Sequence, residues 1–228
     1  MPGYDAARAN MVENQVRPNK VTDDRVIAAM AAVPRERFVG EEFSAIAYVD
    51  EDIAVSSGRY LMEPMVLARL LQAAAIKPGD VVLDIGCATG YSTAVLARLA
   101  DTVVSVESDT GLAETAISLM AELDADNTAV VTGALAEGYA KQAPYDVIVL
   151  EGAVEAVPPS LSDQLAEGGR LVAVVTEPDH HRIGNLAGNH LGRATLMQRK
   201  NGALSRLVLF DASIPPLPGF DIERGFVF

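Results

Sequence analysis

Five short runs in this chain are apolar on both faces or nearly so, and helical segments separate them. They are residues 81–85, 103–107, 128–131, 145–150 and 170–176. A strand that shows no polar alternation has to be covered on both sides. Runs of this kind, interleaved with helices, predict a parallel sheet with helices on both faces. Residues 91–99 and 110–123 carry the helical pattern that joins the first three strands. Asn201-Gly202 sits between 195–198 and 205–211, and that dipeptide favours a tight hairpin turn. The expectation is therefore an α/β, doubly wound, mostly parallel seven-stranded sheet that ends in an antiparallel hairpin. Half of the residues are apolar, which supplies a core for one compact unit.

Upstream of the sheet the texture differs. Thr22 stands where a helix cap is expected, Val26, Ile27, Met30 and Val33 recur on one face, and Pro34 ends the pattern. A loop-rich stretch runs from Arg35 to Arg59. Pro64 then suits the first turn of a further helix, with Arg69 and Gln72 on its wet side. Residues 1–76 are thus expected to form a helical and loop-rich extension that covers the active site, and residues 77–228 an α/β domain.

Acidic residues outnumber basic ones by 31 to 18, a net charge of −13. Nucleic-acid binding draws its affinity from cations that displace phosphate counterions, so this balance argues against a nucleic-acid partner. No run of about 18 uncharged apolar residues occurs, which argues against a membrane span. The N-terminus lacks a basic stretch followed by an apolar core, so no signal peptide is expected. Cys87 is the single cysteine, which suits a reducing cytoplasm and excludes a multi-cysteine metal site. His180, His181 and His190 show no metal-ligand spacing, so they are expected at the surface and no metal is expected. Phe220, Phe226 and Phe228 form an apolar tail expected to dock on its own domain or on a second subunit of a homodimer.

The first strand runs into Asp84-Ile85-Gly86-Cys87-Ala88-Thr89-Gly90-Tyr91. Glycines are needed where a backbone turns sharply or lies against a ligand. In an open α/β sheet, that turn borders the ligand crevice. Glu107 ends the second strand, where a carboxylate can accept hydrogen bonds from both ribose hydroxyls of an adenosine group. A dinucleotide site wants a further glycine and a pyrophosphate-friendly loop. Here Ala88 takes the middle position and Asp84 adds negative charge. A cofactor with a sulfonium and an ammonium, S-adenosylmethionine, suits those acids better.

Several segments carry a resemblance: Val33-Pro34-Arg35-Glu36-Arg37-Phe38-Val39, Ala47-Tyr48-Val49-Asp50, Val82-Leu83-Asp84-Ile85-Gly86 with Gly90-Tyr91, and Leu165-Ala166-Glu167-Gly168-Gly169-Arg170-Leu171-Val172. In order and spacing, from roughly Val21 to Asp211, the chain resembles the protein-L-isoaspartate O-methyltransferases. The resemblance implies a Rossmann-like S-adenosylmethionine-dependent transferase. Such an enzyme methylates the free carboxylate of isoaspartyl residues in a protein or peptide, the first step of protein repair. It also implies a cofactor site built from Asp84, Gly86, Cys87, Gly90, Tyr91, Glu107, Ser108, Gly133, Ala134 and Leu135.

The chain departs from the family pattern at three places. Tyr60-Leu61-Met62-Glu63-Pro64 places Met62 where the family has its active-site serine. Gly133-Ala134-Leu135 lacks the acid of a Gly-Asp-Gly segment. Glu151-Gly152-Ala153 replaces a Thr-Ala-Ala segment. Tyr60, Met62, Glu63 and Glu151 are the substrate-side candidates, and no residue is assigned a catalytic role. Arg59 reads as a solvated arginine or as a clamp on an acceptor carboxylate. Cys87 reads as a small buried group. These departures leave open a small-molecule or other protein acceptor, or a cofactor-binding protein that has lost catalysis.

Overall fold

A computed structural model describes residues 3–176 and 190–221. His180, His181, Phe226 and Phe228 lie outside the described residues. Strands β3 (Val81–Ile85), β4 (Thr102–Glu107), β5 (Thr128–Thr132), β6 (Tyr145–Val154), β7 (Leu165–Thr176), β8 (His190–Lys200) and β9 (Ala203–Ile214) form one sheet. Their order is β5-β4-β3-β6-β7-β8-β9. β3 to β7 are parallel, and β8 and β9 close the sheet antiparallel. The seven-stranded sheet with its terminal hairpin is the one expected from the apolar runs.

Alternation along the strands explains why both faces are covered. Val82, Val147 and Val149 point into one core. Leu83, Ile85, Ile148 and Leu150 point into a second core on the opposite face. The first core also takes Met11, Val26, Met30 and Phe38, so the N-terminal extension and the sheet share apolar side chains.

Helix boundaries follow local chemistry. α2 (Asp24–Ala32) is capped by Asp23 rather than Thr22. The Asp23 carboxylate accepts from the Arg25 N–H at 2.8 Å, whereas the Thr22 N–H is taken by Gln72. α3 (Pro64–Ala74) starts on Pro64 as expected. Its supposed wet side is in use: Gln72 holds the Thr22–Asp23 backbone, and the Arg69 guanidinium lies 3.5 Å from the Phe210 ring centroid. α4 (Tyr91–Ala97) and α5 (Thr110–Glu122) make the crossovers between the first three parallel strands.

Two strands are longer than the apolar runs suggested. β6 continues to Val154 and β7 begins at Leu165, each across a register shift in their shared ladder. Gly168 adopts a φ of 78° inside β7, so the Gly168-Gly169 pair is a bulge within the strand. The loop-rich 35–59 stretch contains β1 (Ile53–Ser56), which pairs with β2 (Arg59–Leu61) as a separate two-stranded hairpin. A strand of three or four residues carries too little alternation to be read from sequence.

Arg35 joins the extension to the rest. It is fully buried, donates to Ala47 O at 2.7 Å and Met62 O at 2.8 Å, and lies 4.8 Å from the Tyr91 ring centroid. A buried guanidinium is tolerated only with such partners. Truncation strands two buried carbonyls and leaves a void. Arg35→Ala is expected to lower stability by about 2–4 kcal/mol, since each stranded buried carbonyl costs about 1–3 kcal/mol. Urea unfolding checks this; a loss under about 1 kcal/mol would place Arg35 outside the framework.

Candidate functional site

The carboxyl ends of β3, β4 and β6 meet at one crevice. At the end of β3, Gly86 turns the chain with a φ of 81°, and Gly90 opens α4 with a φ of 96°. A side chain at Gly90 would meet the Ala116 Cβ at 3.0 Å, so this residue lets α4 pack close to α5.

Asp84 lies in β3, two residues before Gly86, and is fully buried. One carboxylate oxygen accepts from Ser92 Oγ and Thr93 Oγ1, both at 2.8 Å, and from Ser105 Oγ at 3.3 Å. The other oxygen, Oδ1, has no protein partner. Burial raises the Asp84 carboxyl above the ordinary range, against the pull of those three hydroxyls. At the end of β6, burial likewise pushes the Glu151 carboxyl well up, with the Asp84 charge adding to it, and Glu151 Oε1 is also without a partner. Burial raises the Cys87 thiol well above its usual value, which suits the inert, buried role expected of it.

Glu107 sits at the end of β4 with no exposure at all. Its Oε1 accepts the Ser108 N–H at 2.8 Å and the Asp109 N–H at 3.1 Å. Its Oε2 accepts the Ala88 N–H at 2.8 Å and the Arg59 guanidinium at 2.7 Å. Ser108 Oγ adds a fifth donor at 3.3 Å to a carboxylate that offers about four lone-pair positions, so none is left free. Glu107 therefore ties the loop after β3 to the loop after β4, a structural role that its position alone does not reveal.

Arg59 corrects the sequence reading most sharply. It is 4% exposed and not solvated. The Ser57-Gly58 turn of the β1–β2 hairpin leads directly to it, and its Nη2 bonds both Glu107 and Gly86 O, the latter at 2.7 Å. Leu217 comes from the other side. A Cβ on Gly86 would stand 2.7 Å from Leu217 Cδ2, and one on Gly152 would stand 2.7 Å from Leu217 Cγ. Sequence reasoning missed Leu217, because nothing in its surroundings carries a chemical signature.

The remaining candidates divide between the cavity and the packing around it. Tyr60, Met62 and Glu151 line a cavity of about 10 Å³ together with Asp52, Arg59 and Leu217. That is about the room one water needs. Glu63 caps α3 beside it, its N–H held by Asp52 Oδ1 at 2.9 Å. Tyr91 packs its ring 5.5 Å from that of Phe38, toward the extension. Leu135 belongs to the second core and Ala134 is exposed. Ser108 bonds Glu107, and Gly133 follows β5 beside Val106. Phe220 is buried with Leu217 in the second core, so this part of the tail docks on its own chain. His190 opens β8. Among the described residues no cluster of potential metal ligands occurs, and no helix is long and apolar enough to cross a membrane.

Comparison with known proteins places this geometry. The family model described as "Protein-L-isoaspartate(D-aspartate) O-methyltransferase (PCMT)" matches residues 6–200. A protein-L-isoaspartate O-methyltransferase of Koribacter versatilis (strain Ellin345) is 38% identical over 219 residues, covering 96% of this chain and 94% of the relative. One from Gloeobacter violaceus (strain ATCC 29082 / PCC 7421) is 35% identical over 208 residues, covering 91% of this chain and 96% of the relative. A solved protein-L-isoaspartate O-methyltransferase superposes with a TM-score of 0.79 at 25% identity, over 93% of this chain and 66% of that one. A Plasmodium falciparum structure, described as a putative member in complex with S-adenosyl-L-homocysteine, shares the fold with a TM-score of 0.76 at 23% identity, over 92% of this chain and 97% of that one.

The acids around the cavity predict an unusual pH response. Burial raises the Asp52 carboxyl to about 6. Burial, followed by the charges of Asp52, Asp50 and Glu51, raises the Glu63 carboxyl to about 7. In the unfolded chain both titrate near the ordinary value of about 4. Between about pH 4 and 7 the folded protein thus binds more protons than the unfolded one, and stability falls as pH rises through that window. The midpoint of thermal unfolding is expected to be higher near about pH 5.5 than near about pH 8, and Glu63→Gln to flatten the difference. A midpoint that rises with pH in the parent protein, or a variant with the parent's slope, contradicts this account.

Proposed function

The chain belongs to the protein-L-isoaspartate O-methyltransferase family of S-adenosylmethionine-dependent enzymes, and on that premise we propose that it methylates a carboxylate oxygen on isoaspartyl residues of proteins or peptides. One observation carries the reading. Asp84, Gly86, Gly90 and Glu107 meet at the carboxyl edge of the sheet in a chain matched to the family over residues 6–200.

The donor set fits the cofactor. Asp84 Oδ1 and Glu151 Oε1 are buried acceptors without partners beside the crevice, suited to an ammonium group. Glu107 stands at the strand end where a ribose would bind, with Arg59 on its Oε2 in this structure. Gly86 allows the close approach that a side chain would forbid. When bound, S-adenosylmethionine supplies a methyl carbon made electrophilic by the sulfonium. The acceptor is an α-carboxylate with a reference pKa of about 3.5, ionised at neutral pH without help from a general base. What the chain must do is orient that carboxylate and keep water out. The buried Met62 and the half-buried Tyr60 wall the cavity on the extension side, so residues 1–76 serve as the cover over the acceptor.

A second reading is favoured by Met62 and Glu151. An apolar wall and a buried acid suit a neutral or cationic acceptor better than an anion. Incubation with an isoaspartyl peptide and methyl-labelled cofactor separates the two. The expected product is a base-labile methyl ester on that peptide, and none on the same peptide with ordinary aspartate. Label transferred to neutral or cationic small molecules, with no ester even at stoichiometric enzyme, would establish the second reading instead.

A further inference from the structure

Glu107 and Gly86 are not open to a ligand as they stand, because Arg59 and Leu217 cover them. The two covers differ in how they are held. Leu217 is clamped: its N–H donates to Ala153 O at 2.8 Å, and the Ala153 N–H donates to Pro215 O at 2.9 Å. This segment pairs with β6 alongside Ala153, in parallel sense. Arg59 reaches the crevice from a hairpin of three and four residues that pairs with no strand of the main sheet. Around Gly58 in its turn, the space a Cβ would fill is open. The guanidinium is anchored through Nη2, while the buried Nε has no partner. Of the five donors on Glu107, three are backbone N–H groups of the two loops and a fourth is the Ser108 hydroxyl of the same loop, at 3.3 Å. Arg59 is the one donor that comes from outside those two loops.

Resting on the cofactor reading above, we propose that Arg59 is a resident gate on the cofactor crevice. Its guanidinium holds the place on Glu107 that a ribose diol would take, and a ribosylated ligand enters only when the β1–β2 hairpin withdraws it. Apparent affinity is then the intrinsic affinity reduced by the fraction of molecules with Arg59 withdrawn. The gate also masks Glu107. In the parent protein, a ligand gains only the difference between its own bonds to Glu107 and those of Arg59, so removing Glu107 cancels both.

Calorimetric titration with S-adenosylhomocysteine tests this on the parent, Arg59→Gln, Arg59→Ala, and each combined with Glu107→Ala. Arg59→Gln keeps a hydrogen-bond donor in the hairpin, which protects against a misfolded alanine variant. The expected result is binding at least about tenfold tighter without Arg59, as for a withdrawn state populated at about a tenth or less. Glu107→Ala should then cost at least about tenfold in the Arg59 variants and only about twofold in the parent, a non-additive cycle. Hydrogen exchange of residues 53–61 should speed up when the parent is saturated with ligand. Binding that is equal or weaker without Arg59, or exchange at 53–61 that does not respond, overturns the gate and leaves the cofactor site standing. No binding to any folded variant at millimolar ligand removes the cofactor site and the gate together.

Discussion

A carboxylate with no exposure to water has to be answered by donors, and in this fold Glu107 is answered from three directions. The loop after β3 gives the Ala88 N–H, the loop after β4 gives those of Ser108 and Asp109, and a distant hairpin gives Arg59. Charge-assisted bonds of this kind contribute roughly 1.5–3 kcal/mol each, but they are set against a desolvation cost of several kcal/mol per ion. Such a centre specifies geometry more than it adds net stability. It fixes the spacing of the two loops that face the crevice, and so the shape of whatever can bind there.

The parallel sheet was legible because its signal is thermodynamic and local. A strand such as Tyr145–Val154, buried along nearly its whole length, reads as a continuous apolar run. The Gly86–Gly90 turn and the strand-end acids were legible for the same reason, since each residue type answers a local demand. What escaped was every contact set by distant packing. Arg59 looks like any loop arginine until the hairpin brings it across 48 residues of sequence to Glu107. Leu217 carries no sign of its place over Gly86 and Gly152. Asp23 and not Thr22 is the cap, its carboxylate accepting the Arg25 and Val26 N–H groups while Gln72, fifty residues from Thr22, holds the backbone of both.

The extension is more than an appendage to the sheet. Arg35 bonds carbonyls on both sides of the acidic Asp50-Glu51-Asp52 loop and stacks on Tyr91, the first residue of the helix that leaves the glycine turn. Thr89 in that same turn donates to Phe38 O at 2.6 Å. The extension and the glycine turn are thus bonded to each other through residues 35–38. The acids with raised pKa values, Asp52 and Glu63, lie on the cover side, and Asp84 and Glu151 lie on the floor. Burial thus favours the neutral form of the acids on both sides of the crevice.

The far edge of the sheet has a consequence of another kind. β9 is twelve residues long and ends the sheet. Leu204, Leu207 and Val208 are exposed along it, with Leu207 at 58%. An uncovered strand with apolar side chains is a template on which other chains can add strands. Arg206 interrupts the run on this strand, while Arg199 and Lys200 flank it from the neighbouring one; repulsion between such cations is the usual guard against edge-to-edge growth. That guard is screened by salt over a Debye length of about 8 Å at physiological ionic strength. Concentrated protein at high ionic strength is therefore where self-association of this chain should begin, along the β9 edge.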